Sequence, residues 1–309
     1  MGVAVIFPGQ GTQRAQMGRP WRATPAWRVV ERAEAALDRP LAPLLLDAPE
    51  ATLERTLEAQ LAVFLQSLMA WDAVAPELEE RPVAFAGHSL GQLTALVAAG
   101  VLSLEDGARL VAARAEATQQ AADRNPGRLA ALVGADLEQA EAACADVPWA
   151  WVANDNAPGQ VVIGGSPSGV EAASARARDL GVRRVIPLNV GGAFHTPLFD
   201  EAAAGLGPVL AATPFAAALA PIVSNVDAEA HTDPADWPDQ LARHLVTPVR
   251  WRLSLLTLER LGADSLVEVG PGNVLAGLAR RTLPGVPVRN VALPDDLIAA
   301  RRDPLEAVS

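Results

Sequence analysis

Lysine and tyrosine are absent from this chain, and cysteine occurs once. The missing lysine is read as compositional bias, but it has a consequence: any anion site must be built from arginine or backbone N–H groups. The single cysteine, Cys144, excludes an internal disulfide and a CxxC metal site; in its Ala-rich helical stretch it reads as a small apolar residue rather than a nucleophile. No segment reaches the ~18 consecutive apolar residues that a membrane helix requires. The opening "MGVAVIFPGQG" has no basic region and too short an apolar run for a signal peptide, so a soluble cytoplasmic protein is expected. Excess positive charge is also lacking. The net charge is −11, which argues against non-specific nucleic-acid binding and against an anionic membrane surface.

What is present is enough apolar material for a large core, in 309 residues. That length suits one large domain with an insertion, or two domains. "VAVIF" (3–7) reads as a buried strand ending in Pro-Gly, residues 51–76 as helical, and "RPVAFAG" (81–87) as a second buried strand. Helices follow at 90–102 and 103–123, the latter with Ser103 as N-cap and Asp106 three residues on. Strands alternating with helices predict a parallel α/β sheet covered on both faces. From residue 127 to 191 the order becomes β-α-β-β-α-β, the ferredoxin-like pattern. The large α/β domain is therefore assigned to 1–126 and 192–309, and a small inserted subdomain to 127–191. The polar tail after Leu293 reads as peripheral.

The stretch "GHSLG" (87–91) fits G-x-S-x-G between a buried strand and a helix, the context of a nucleophile elbow. Ser89 is then raised at a helix N-terminus, where the N–H of Leu90 can stabilise an oxyanion. A serine requires a base, and only four histidines exist. His88 is adjacent, and adjacent side chains on an elbow diverge. His231, in "DAEAHTDPAD", reads as an exposed turn rather than a metal ligand, and no metal site is expected. His195, in "GAFHTPL", lies on a loop at a strand end and ranks first; His244 ranks second. No Asp stands out as a third triad member, but a backbone carbonyl can orient an imidazole through Nδ1–H. "FPGQGTQ" (7–13) lacks the third glycine of a dinucleotide fingerprint, since residue 14 is Arg14. Its alternative use is to bring the backbone N–H of Gln10 close to a reacting oxygen.

"FPGQGTQ", "GHSLGQLTAL", "NAPGQVVIGG", "GAFHTPL", "PVRW" and "EVGPGNVL" together resemble, in order and spacing, the malonyl-CoA:acyl carrier protein transacylases, a family to which polyketide synthase acyltransferases are also related. The resemblance spans nearly the whole chain. It implies an α/β-hydrolase-like large subdomain, a ferredoxin-like small one, and ping-pong transfer of an acyl group from coenzyme A, through a serine ester, to the phosphopantetheine thiol of acyl carrier protein. No bound cofactor is implied; the coenzyme A thioester is a substrate. The resemblance places the nucleophile at Ser89 and the base at His195. Oxyanion donors fall on Gln10 and Leu90, the malonyl-binding arginine on Arg114, and the carbonyl that orients the histidine on His244. Arginine suits a free acyl carboxylate because its planar fork is always charged and donates two parallel hydrogen bonds.

Several positions depart from the family pattern. Gln92 stands where Glu is usual, His244 where Gln or Asn is usual, Gly191 and Thr196 where Ser is common, and Ala115 and Thr118 where Gly and Met are usual. Thr118 is expected to face the acyl pocket and to widen it, while Phe194 should exclude α-branched acyl groups. An acidic carrier protein needs a local basic patch on this acidic chain, for which the pairs Arg183/Arg184 and Arg280/Arg281 are candidates. The alternatives are an editing acyl hydrolase using the same Ser–His pair, a trans-acting acyltransferase for another extender unit, a malonate-decarboxylase transacylase subunit, and a non-enzymatic carrier-docking subunit.

Overall fold

A computed structural model describes residues 2–188 and 191–297. Its larger sheet contains β1 (Val3–Phe7), β2 (Ala84–Gly87), β7 (Ile222–Val223), β8 (Ala230–His231), β9 (Ser265–Val269) and β10 (Val288–Val291), in the order β10-β9-β1-β2-β7-β8. All its pairings are parallel except that of β7 with β8. Central β1 is apolar on both faces because helices cover both, and Ala4 to Phe7 have no exposed surface. One covering helix, Thr56–Val74, is itself buried on nearly every side between the sheet and the helix Leu104–Arg124. Ser103 caps the latter helix, accepting the Asp106 N–H at 3.0 Å.

The second sheet is built from β3 (Arg128–Val133), β4 (Ala150–Ala157), β5 (Gln160–Gly165) and β6 (Arg184–Leu188). Its order, β4-β5-β3-β6, is antiparallel throughout. Helices Leu137–Cys144 and Pro167–Asp179 pack on one face around a separate apolar core. This is the ferredoxin-like arrangement expected from the strand–helix alternation. Residues 189 and 190, within the expected small subdomain 127–191, lie outside the described residues, as does the tail from 298 onward. The helical stretch expected over 51–76 is divided into two helices, Glu50–Leu53 and Thr56–Val74. β7 pairs over only two residues, and β8 and β10, not foreseen, extend the sheet at its two edges.

The two sheets are joined by specific contacts. Asn154 and Val249 form a parallel bridge, with Val249 N–H donating to the Ala153 carbonyl and Asp155 N–H to the Val249 carbonyl, each at 2.9 Å. Arg252 Nε donates to the buried Asp155 carboxylate at 2.9 Å. A parallel sheet presents its loops at the carboxyl ends of its strands, and the small sheet is anchored beside that edge.

Candidate active site

The turn after β2 holds Ser89 at φ 52°, ψ −109°, a region that non-glycine residues seldom occupy. Two glycines make the turn possible. A Cβ on Gly87 would meet the backbone of Gly91, and a Cβ on Gly91 would meet the Phe7 carbonyl at the end of β1. Gly9, in the loop after β1, packs in the same way against the His88 carbonyl. The "PGQG" loop is thereby held alongside the elbow, with Gln10 in it. The Ser89 N–H donates to Asn225 Oδ1 at 2.8 Å, so that group is occupied. The next N–H belongs to Leu90, at the first position of the helix Leu90–Ala98, where no intrahelical acceptor exists.

His195 sits on the loop before the helix Asp200–Ala212, with its own positive φ of 62°. Its Nδ1–H donates to the His244 carbonyl at 2.8 Å, which leaves Nε2 to accept the Ser89 hydroxyl at 2.8 Å. The ring is 3% exposed. Burial, and after it the positive charge of Arg114, push its pKa down to about 3. The imidazole is therefore neutral at pH 7 and able to take a proton. The carbonyl that accepts the Nδ1–H belongs to His244, whose buried ring makes further contacts. Nε2 reaches Asn225 Oδ1 at 3.1 Å, and the ring lies 5.2 Å from that of His195. Burial holds His244 well below the usual imidazole range.

Arg114, on the helix Leu104–Arg124, is 3% exposed. Nη2 donates to Ser89 Oγ at 3.2 Å and Nη1 to Gln60 Oε1. No carboxylate pairs with it among the described residues, and burial lowers its pKa to about 10, so the cation persists. The serine hydroxyl thus donates to an imidazole and accepts from a guanidinium. Beyond His195 a groove of about 510 Å³ opens between the small sheet and loops of the large domain, lined among others by Trp151, Val152, Pro197 and Val246. Cys144 also lines it, and burial pushes its thiol up to about 11, so it stays protonated.

Thr118 does not line the pocket. It has no exposed surface, and its hydroxyl donates into its own helix, to the Arg114 carbonyl at 2.8 Å, while accepting from Gln60 Nε2 at 3.3 Å. Phe194 is buried with its ring 4.9 Å from Phe199. His88 turns away from Ser89 to Asn156 Oδ1 at 2.8 Å, tying the elbow to the small sheet. His231 is half-buried between Asp236, at 2.8 Å, and Asp227, at 3.1 Å, and no cluster that could hold a metal occurs among the described residues. Of the arginine pairs, Arg280 bonds the Val288 carbonyl beside β10, whereas Arg281 bonds Gln160. Gln160 and Arg184 both pair with Val133, so Arg184 and Arg281 converge on one end of the small sheet.

Two site residues escaped the sequence reading. Gln60 is a lone amide inside the apolar helical run "AQLAVFL", a signal that was available. Asn225 carries none beyond its place near a short strand. Gln92, noted only as a departure, accepts the Asn225 N–H at 2.7 Å and so steadies the residue that receives the Ser89 N–H.

An α/β fold that raises a serine against a neutral imidazole defines the class of enzymes that work through a serine nucleophile. Comparison with known proteins narrows this class. The acyl transferase domain model matches residues 4–295. The malonyl CoA-acyl carrier protein transacylase of Bacillus subtilis (strain 168) is 38% identical over 288 residues, covering 90% of each chain. An acyl carrier protein S-malonyltransferase from Vibrio cholerae superposes with a TM-score of 0.92 at 34% identity, over 97% of this chain and 100% of that one. A malonyl-transacylase solved in complex with its type II PKS acyl-carrier protein gives a TM-score of 0.93 at 32% identity, over 98% of this chain and 100% of that one. The chain belongs to the acyl transferase family, among the malonyl CoA-acyl carrier protein transacylases.

Proposed function

We propose that this chain moves a malonyl group from coenzyme A to the phosphopantetheine thiol of an acyl carrier protein. The observation that carries the reading is Arg114, a buried cation with no carboxylate partner among the described residues, 3.2 Å from the serine hydroxyl. A neutral acyl group would leave that charge uncompensated, whereas malonyl brings its own carboxylate.

In the first half-reaction Ser89 Oγ attacks the thioester carbonyl as His195 Nε2 takes its proton. The backbone N–H groups of Gln10 and Leu90 receive the oxyanion. The C–S bond breaks, and His195 returns the proton to the departing thiolate. In the second, the carrier's thiol gives its proton to His195 and attacks the ester, and Ser89 leaves with that proton. Binding of malonyl neutralises Arg114, whose field holds the imidazole pKa down, so substrate raises the basicity of His195 at the moment a base is needed. Arg184 and Arg281 supply the basic patch for an acidic carrier protein. This reading places the enzyme's action in the cytoplasm.

The test is a two-stage intact-mass experiment. Loading with malonyl-CoA and then adding holo-carrier protein should move the malonyl mass to the carrier. Steady release of free CoA and malonate at the same rate without carrier would instead identify a hydrolase.

His195→Ala should slow acylation by roughly 10²–10⁴-fold, measured by single-turnover CoA release, with His231→Ala near neutral. Because the imidazole pKa is depressed, the base stays available far below pH 6.5. The acid limb of kcat/KM for the wild type should therefore lie well under that value. The same shift makes the stability contributed by neutral His195 fully present above pH 6.5 and lost as pH falls toward 3.

A further inference from the structure

Gln60 lies on the helix Thr56–Val74 with no exposed surface, facing the helix that carries Arg114. A guanidinium only donates, so the amide must turn Oε1 toward Arg114 Nη1. Nε2 is then directed to Thr118 Oγ1 at 3.3 Å. The Thr118 hydroxyl accepts there and sends its single proton into its own helix, toward the Arg114 carbonyl at 2.8 Å or that of Ala115 at 3.1 Å. Every donor in this chain has one direction. The chain fixes one arm of the guanidinium, leaves the other on Ser89 Oγ, and contains no negative charge.

The absence of charge is the informative part. Buried cations in proteins are ordinarily paired, and a glutamate at position 60 would have the length and direction to pair this one. Such a carboxylate would satisfy Arg114 permanently and repel an incoming acyl carboxylate. An amide of the same shape holds the fork without supplying the countercharge.

We propose that Gln60, locked by Thr118, is a positioning residue that sets acyl specificity: it orients Arg114 and, by being neutral, reserves the guanidinium's countercharge for the carboxylate of the substrate. This rests on the malonyl-transfer reading. It also gives Thr118 a role behind the arginine in place of one in the pocket.

The experiment compares kcat and KM for malonyl-CoA and acetyl-CoA, with carrier protein as acceptor, in the full-length wild type, Gln60→Glu, Gln60→Leu, Thr118→Val and Thr118→Ser. Gln60→Glu should lower kcat/KM for malonyl-CoA by about 10²-fold, a modest figure for a close buried charge pair, chiefly through KM. Acetyl transfer should hold or rise, so the malonyl preference collapses. Gln60→Leu, which removes the amide without adding charge, should raise KM for malonyl-CoA several-fold, as Thr118→Val does, and melt at lower temperature, but it should keep most of the malonyl preference because no carboxylate competes for Arg114. Thr118→Val should raise KM for malonyl-CoA several-fold and change kcat less, with Thr118→Ser restoring it; this arm stands even where Gln60→Glu fails to fold. An unchanged malonyl-to-acetyl ratio in Gln60→Glu, or equal losses in Gln60→Glu and Gln60→Leu, would overturn the assignment while leaving malonyl transfer intact. For the Thr118 arm, an unchanged KM in Thr118→Val does the same. If the wild type itself showed no preference for malonyl-CoA, the malonyl reading would fall, and the assignment with it.

Discussion

Incubated with malonyl-CoA, the wild-type chain should gain one malonyl mass on Ser89, and Ser89→Ala should gain none. The hydroxyl donates to the neutral Nε2 of His195 at 2.8 Å and accepts from Arg114 at 3.2 Å, so no other group in the site is equally prepared to attack a carbonyl. Loss of a serine nucleophile from such a unit costs about 10⁶-fold in rate, because histidine and oxyanion donors have nothing left to act on. Peptide mapping after labelling provides the check. Cys144 is the competing nucleophile by element type, but burial holds its thiol near 11, and it should remain unlabelled. A label on Cys144, or one that survives in Ser89→Ala, contradicts the mechanism outright.

Arg114→Ala should invert the acyl preference. In the wild type the guanidinium is buried and unpaired, so acetyl-CoA binding leaves a desolvated charge uncompensated, at a cost of several kcal/mol. Malonyl-CoA removes that penalty and adds a forked ion pair. Selectivity therefore works by rejection of the neutral group as much as by attraction of the charged one. Alanine abolishes both effects. Malonyl transfer should drop by orders of magnitude, and transfer of acetyl or longer neutral groups should hold steady or rise. Competition between malonyl-CoA and acetyl-CoA in one reaction, read by carrier mass, measures the ratio directly. An unchanged ratio would mean that Arg114 is a structural cation and that the dicarboxylate specificity lies elsewhere. The substitution should also let the His195 pKa rise, because the Arg114 field is the second-largest cause of its depression after burial.

The sequence by itself determined whatever depends on neighbours along the chain. The elbow follows from a buried strand, two glycines and a helix start within a few residues of Ser89. The Ser103 cap is equally local, and the ferredoxin-like order of 127–191 follows from alternation and turn residues. The choice of His195 over His88 was legible too, since adjacent side chains diverge at a sharp turn. Only the tertiary structure decided which distant atoms meet. Ser89 finds its partners 25, 106 and 136 residues away, at Arg114, His195 and Asn225. Periodicity assigns Gln60 and Thr118 to helices, but it cannot say that those helices cross with the amide facing the guanidinium. For that reason Thr118 read as a pocket residue and Gln60 was passed over. The short β7 and the edge strands β8 and β10 were obscure for the same cause: two to four residues carry too little pattern, and their pairing is fixed by the strands beside them. Local chemistry sets turns, caps and faces within a few residues; hydrogen bonds between residues far apart depend on sheet order and helix crossing, which packing of the whole core decides.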